Sequence, residues 1–441
     1  MRIRTGLLVL VTFVVAAAAG CTHGARRTAG RSGAAAASSS TSTTTAGHAS
    51  MQMPATAGTN AILKAATASP GQLRAAFEQL LGEHALLAVR LMRNGVAPVA
   101  GFQQPATEAM RQNTEALGPL VGAAYGGAQG GRFRQLWQRH IDDLLAYANG
   151  VAKHDAAATQ RARANLLADA DAYGAWFAQA SKGRVRAGDA AAGVRMHIED
   201  LIGQLDAYAA ADYGRAYQLE RTAFEHMFTA GVTLAKGSLP PEVAVGLDAP
   251  PQQLRSAFAM LLGEHMELIV DAQRAAFAQS REFNAAGAQV NANTLALVKA
   301  MGAIVGPQKA AEFQSDWNDH VSGLMAYTAA VASNDQAGKA TAERRLNSFA
   351  VALATYFSGV VRSPSAFVPL TRAITAHDTH LMDQAEAFAA KDYAKAQQME
   401  TDGYQQMLGV ANMLVDAIQR VVRTGLPKGG SQTGGGGTAR R

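Results

Sequence analysis

The chain has a single cysteine, Cys21, in 441 residues. No disulfide can form within it, and a cysteine-rich zinc site or a CxxC redox pair is excluded. Aromatic residues are only 6% of the total, which argues against the strand-rich filling of a β-sandwich. Beyond the first twenty residues no stretch is apolar enough to span a bilayer. Charge of one sign is not concentrated in the body of the chain. The net charge of +6 comes largely from Arg2, Arg4, Arg26, Arg27, Arg31, Lys428, Arg440 and Arg441 at the two ends. No basic stripe with interleaved aromatics is present, so no nucleic-acid partner is expected. HExxH, Glu-x-x-His, GxSxG and the P-loop are all missing, and no enzyme class is indicated by motif.

What is there is alanine, glycine and apolar residues recurring at spacings of three and four, 48% hydrophobic overall. That pattern predicts helices packed closely through small side chains. No segment alternates with period two, so no sheet is expected. The stretch Leu73–His84, LRAAFEQLLGEH, returns as Leu254–His265, LRSAFAMLLGEH, identical at nine of twelve positions. Further pairs recur 180 residues apart: Asn113 and Asn293, Trp137 and Trp317, His140 and His320, His197 and His377, Asp212 and Asp392. A period this long marks duplicated domains, not a solenoid. The expected fold is all-α, two tandem homologous antiparallel helical-bundle domains of about six helices each. The boundaries read as 1–20 leader, 21–68 disordered tether, 69–239 first bundle, 240–250 linker, 251–423 second bundle and 424–441 disordered tail. Gly126-Gly127 and Gly130-Gly131 read as one turn between helices, and Asp155, Asp212 and Asp392 as helix starts.

The histidines carry the functional argument. His84, His140, His197 and His226 fall on four different predicted helices of the first repeat, each on or near an apolar stripe. The second repeat keeps His265, His320 and His377, adds His380 and has Gln406 where the first has His226. Inward side chains from several helices are how bundles build metal sites, and neutral imidazole is the commonest ligand. Glu83 and Glu264, each preceding a histidine, join the candidate set, and Asp143 and Asp200 are candidate outer partners one turn beyond a histidine. The bland alternative is that all these histidines are core residues bonded across helices. Thioethers beside an imidazole in His48-Ala-Ser-Met51-Gln-Met53 suit copper. At Met196-His197, His226-Met227 and His265-Met266 the adjacent side chains point about 100° apart on a helix and do not easily bind one ion, and methionine there fills core gaps. Copper is the first expectation for the ion, then zinc or iron. A haem held by His and Met is a further alternative.

The N-terminus combines Arg2 and Arg4, a short apolar run Leu7–Ala19, and Ala18-Ala19-Gly20-Cys21. This resembles the lipobox of bacterial lipoproteins. The resemblance implies a signal peptide, lipidation at Cys21 and anchoring on the outer face of the bacterial cell membrane, in the cell envelope. The patterns EHxxL, NTxxL, WxxHIxxLxxY and ERxAxxHMF resemble a helical module of exported bacterial proteins often found beside a copper amine oxidase N-terminal-type segment. Glu83, His84, Asn113, Trp137, His140, His197, Arg221, His226 and Met227 carry that likeness, and the second repeat departs at Gln406. The quinone cofactor motif of amine oxidases is absent. The expected function is that of an exported, membrane-anchored lipoprotein binding a transition metal. The runner-up is a non-enzymatic structural or interaction lipoprotein, with its protein partner unspecified.

Overall fold

The computed structural model describes residues 63, 64 and 66–425, with side chains to residue 420. The proposed leader, Cys21 and the His48–Met53 cluster lie outside the described residues, as does the chain after residue 425. The fold is all-α: among the described residues there is no strand. The first repeat forms α1 (Pro70–Val96), α2 (Gln103–Tyr125), α3 (Gly127–Ala152), α4 (Ala156–Ala180), α5 (Ala187–Ala209) and α6 (Tyr213–Ser238). After the short α7 (Pro241–Ala244) the second repeat forms α8 (Pro250–Phe277), α9 (Phe283–Val305), α10 (Pro307–Ala332), α11 (Gln336–Val360), α12 (Phe367–Ala389) and α13 (Tyr393–Gly425). None of these helices is long and apolar enough to cross a membrane.

Local chemistry sets the helix ends. Asp155 and Asp335 accept N–H bonds from Ala158 and Gly338 at 2.9 Å, capping α4 and α11. Asp212 and Asp392 do the same for α6 and α13, accepting from Arg215 and Lys395. The residue before each of these last two caps, Ala211 or Lys391, has φ of 58° or 62°. A left-handed residue of this kind closes the preceding helix without a loop. Pro241 and Pro250 stand at first-turn positions, where the missing N–H costs nothing.

Three boundaries differ from expectation. Gly127, Gly130 and Gly131 are helical, inside α3, and only Gly126 with φ of 95° makes the turn. The glycine is needed for packing: a Cβ on Gly130 would lie 2.7 Å from the Gly122 Cα of α2. The supposed linker is largely helical and tied down, with Leu247 buried and its carbonyl accepting from Arg74 at 2.5 Å. At the start, Ala66 is buried against the first core, so ordered chain precedes residue 69.

The two repeats pack on each other in a reciprocal pattern. Helix α1 meets α8; α6 packs on α9 as α13 packs on α2. The glycines of the repeated LLGEH segment make this possible. A Cβ on Gly82 would sit 2.5 Å from the Tyr404 hydroxyl, and one on Gly263 2.8 Å from the same ring. The second core consequently includes Leu86, Tyr217, Phe224 and Phe228 of the first repeat. A buried charge cluster crosses the same junction. The Arg90 guanidinium pairs with Glu267, with Glu400 at 2.5 Å and with Asp271 at 3.5 Å. Arg93 pairs with Glu220 at 2.8 Å and lies over the rings of Tyr208 and Tyr217.

Candidate metal centre

Each repeat brings three buried histidines to one point. His84 comes from α1, His140 from α3 and His197 from α5; His265, His320 and His377 come from α8, α10 and α12. In each triad one ring nitrogen per residue lies within 4.8 Å of the other two. All six side chains are at most 3% exposed. The helices deliver them because each histidine continues an apolar stripe. Leu80 and Leu81 precede His84 by a turn, and Leu136 and Leu144 flank His140 by a turn on each side.

The surroundings hold the rings and keep them neutral. Trp137 packs on His84 with centroids 4.2 Å apart, and Trp317 on His265 at 4.7 Å. Phe349 stacks on His320 at 4.4 Å and 17°. The His197 Nδ1 lies 3.3 Å from the Ala223 carbonyl. A carbonyl only accepts, so Nδ1 carries the proton and Nε2 presents its lone pair. That Nε2 has no hydrogen-bond partner, nor have both ring nitrogens of His84 and of His377. Burial pushes His140 down to about 4 and His197 and His265 to about 3. It drives His84, His320 and His377 well below the ordinary histidine range, with their neighbouring imidazoles adding to it. Converging neutral imidazoles of this kind fit a metal ion, which binds only the deprotonated ring. Ligands about 2.05 Å from a tetrahedral ion are about 3.3 Å apart. The His265 and His320 Nε2 atoms are 3.4 Å apart.

The other candidates go elsewhere. Glu83 and His84 are adjacent on a helix and point about 100° apart. Glu83 turns to α2, where its Oε2 accepts from Asn113 at 2.8 Å; Glu264 accepts from Asn293 at 2.6 Å. Asn113 and Asn293 also donate to the carbonyls of Leu80 and Leu261. The recurring glutamate thus clamps α1 to α2 and α8 to α9. The two copies differ in charge balance. Glu264 takes a two-pronged pair from Arg221, at 2.6 and 3.1 Å. Among the described residues Glu83 has no arginine; Gln405 lies 3.5 Å from its other oxygen, and burial lifts it to about 7.

His226 stands outside the first triad, with Nδ1 2.7 Å from Asp200 and the side chain 28% exposed. His380 lies outside the second, 3.4 Å from Gln406. Repeat two has exchanged the partners, with histidine at the Asp200 position and glutamine at the His226 position. Asp143 accepts from Asn165 on the exposed surface. The Met227 next to His226 is buried in the core instead, because neighbouring helix positions face different ways.

Asp378 was not among the sequence candidates. It replaces Ile198 of the first repeat, is 2% exposed, and places Oδ1 3.3 Å from His320 Nδ1. Burial alone drives its carboxyl well above the usual range. The sequence signal was an aspartate on an apolar stripe directly after His377, visible only once the two repeats are aligned.

Comparison with protein-family models, curated proteins and solved structures yields no match.

Proposed function

We propose that the chain is a transition-metal-binding protein with one ion at each histidine triad, exported and anchored to the outer face of a bacterial membrane. The observation that carries the reading is the convergence, twice, of three buried neutral imidazoles, with ring nitrogens of His84, His197 and His377 left without a protein partner. A buried polar group left unpaired costs roughly 1–3 kcal/mol, and an ion would convert several such costs into bonds. Copper is the first candidate. Its reduced form favours imidazole with thioether, and Met407 shares the lining of a cavity with His320 and His377. Three protein ligands leave a fourth position open to an added molecule. Export and anchoring rest on the Arg2 to Cys21 pattern of the sequence. Haem is the weaker choice, since the cavity beside the second triad is only about 30 Å³.

A second reading, structural histidines, has one observation in its favour: the 3.4 Å approach of His265 to His320 also suits a hydrogen bond. The two readings separate on metal content. The full chain, purified without an affinity tag, should carry or take up two equivalents of one metal by elemental analysis. No uptake on titration with copper, zinc or iron would sink the metal reading.

A further inference from the structure

The second triad opens onto a chamber that its counterpart does not share in kind. His320 and His377 form one wall. Leu297, Leu353, Phe357, Leu370 and Met407 are among the other walls, with Phe349 beside His320. Besides the two imidazoles, only the Trp317 indole brings a polar side-chain atom to the lining. The volume, about 30 Å³, exceeds the roughly 10–15 Å³ that one water needs. A water also needs two to four polar partners, and apolar cavities lacking them stay dry and take up apolar guests.

The 180-residue offset supplies the comparison. Where the second repeat has Leu353, Phe349 and Leu370, the first has Tyr173, Asp169 and Ala190. Tyr173 is buried with an unpartnered hydroxyl, its ring 6.3 Å from His140. Asp169 is buried and 3.6 Å from Arg139. At these three aligned positions the first repeat therefore carries a phenol, an acid and a methyl group, and the second carries hydrocarbon alone.

We propose that the chamber beside His320 and His377 is a binding site for a small uncharged diatomic molecule, of the class of dioxygen, carbon monoxide and nitric oxide, held at the open position of the ion of the second triad. This rests on the metal reading above, and it adds a ligand class and a difference between the two sites. Hydrocarbon walls exclude charged and strongly hydrated ligands, which would lose their water without replacement. They accept a molecule with little hydration to lose. Leu353 and Phe349 set that selectivity, and the Tyr173 phenol beside His140 removes it in the first repeat.

The test uses the full chain in two steps. Crystals under xenon pressure should show one xenon atom in contact with Leu353 and Phe357; the wild-type position alone locates the site. The cuprous-loaded protein under carbon monoxide should then show an infrared C–O band, assigned to the second triad by its loss or shift in Leu353→Tyr at unchanged metal content. No xenon in the chamber overturns the proposal, as does a C–O spectrum identical in wild type and Leu353→Tyr. Absence of copper uptake would overturn it through the metal reading, and the metal count distinguishes that failure from an unsuitable chamber.

Discussion

Asp378 Oδ1 lies 3.3 Å from His320 Nδ1, and neither carboxylate oxygen of Asp378 has an aligned hydrogen bond. An ion on the opposite nitrogen of His320 would leave Nδ1 protonated and facing this carboxylate. That arrangement orients the ring and raises its basicity. Asp378 is a positioning residue in this account. Asp378→Asn should weaken the second site about 10–100-fold, with the first site unchanged, in a competitive metal titration. Asp378→Ile, the first repeat's residue, should raise the melting temperature of the metal-free protein by removing a buried unpaired carboxyl.

Stoichiometry tests which histidines are ligands. His84→Ala should remove one equivalent of metal, His265→Ala the other, and the double variant both. His226→Ala and His380→Ala should leave the count at two, because both side chains stand outside the triads. A loss of metal in His226→Ala would return that residue to the ligand set.

Acid should destabilise the metal-free protein from near neutrality downwards. Each triad histidine has a folded pKa below its ordinary value of 6.5, so the unfolded chain takes up protons first as pH falls. The stability is complete above about pH 6.5 and is lost progressively as pH drops below it, towards about 4 for His140 and about 3 for His197 and His265. For His140 alone the shift corresponds to about 3 kcal/mol. Glu83 acts in the opposite sense: its raised pKa favours the folded state below about 4.5, an advantage lost as pH rises through about 7. Denaturant melts between pH 4 and 8 should show the loss on the acid side, and His84→Phe should reduce its slope.

The junction between the repeats depends on Arg90. Its removal leaves Glu267 and Asp271 without this cation in the interior, beside Glu400, which keeps Arg274 at 2.5 Å. Arg90→Ala should cost about 3–5 kcal/mol, the usual penalty for stranding a buried charge. Adding Glu267→Leu, which copies Leu86 at the equivalent position, should recover part of it. Thermal melts of the single and double variants measure both steps.

Backbone tolerance offers a final check. Gly130→Ala should destabilise by about 1–3 kcal/mol through overpacking, since its Cβ would meet the Gly122 backbone. Gly131→Ala, where a Cβ meets nothing, should be neutral or slightly stabilising.

Most of the architecture was determined by sequence alone. Apolar spacing, aspartate caps and the offset of about 180 residues specify two sets of six helices, because these are local signals or comparisons of the chain with itself. The triad members His84, His140, His197 and their counterparts were legible for the same reason: each continues its helix's buried stripe, and the stripe is periodic. Other assignments waited on the tertiary structure. Glu83 and Glu264 recur as faithfully as the histidines beside them, yet serve Asn113 and Asn293, because a step of one residue on a helix turns the side chain towards a different neighbour. His226 and His380 share the triads' composition but not their direction. Gly130 reads as a turn until α2 is seen lying against it. Asp378, the chamber and the Arg90 cluster exist only between helices distant in sequence, where burial removes water and makes each unpaired atom count.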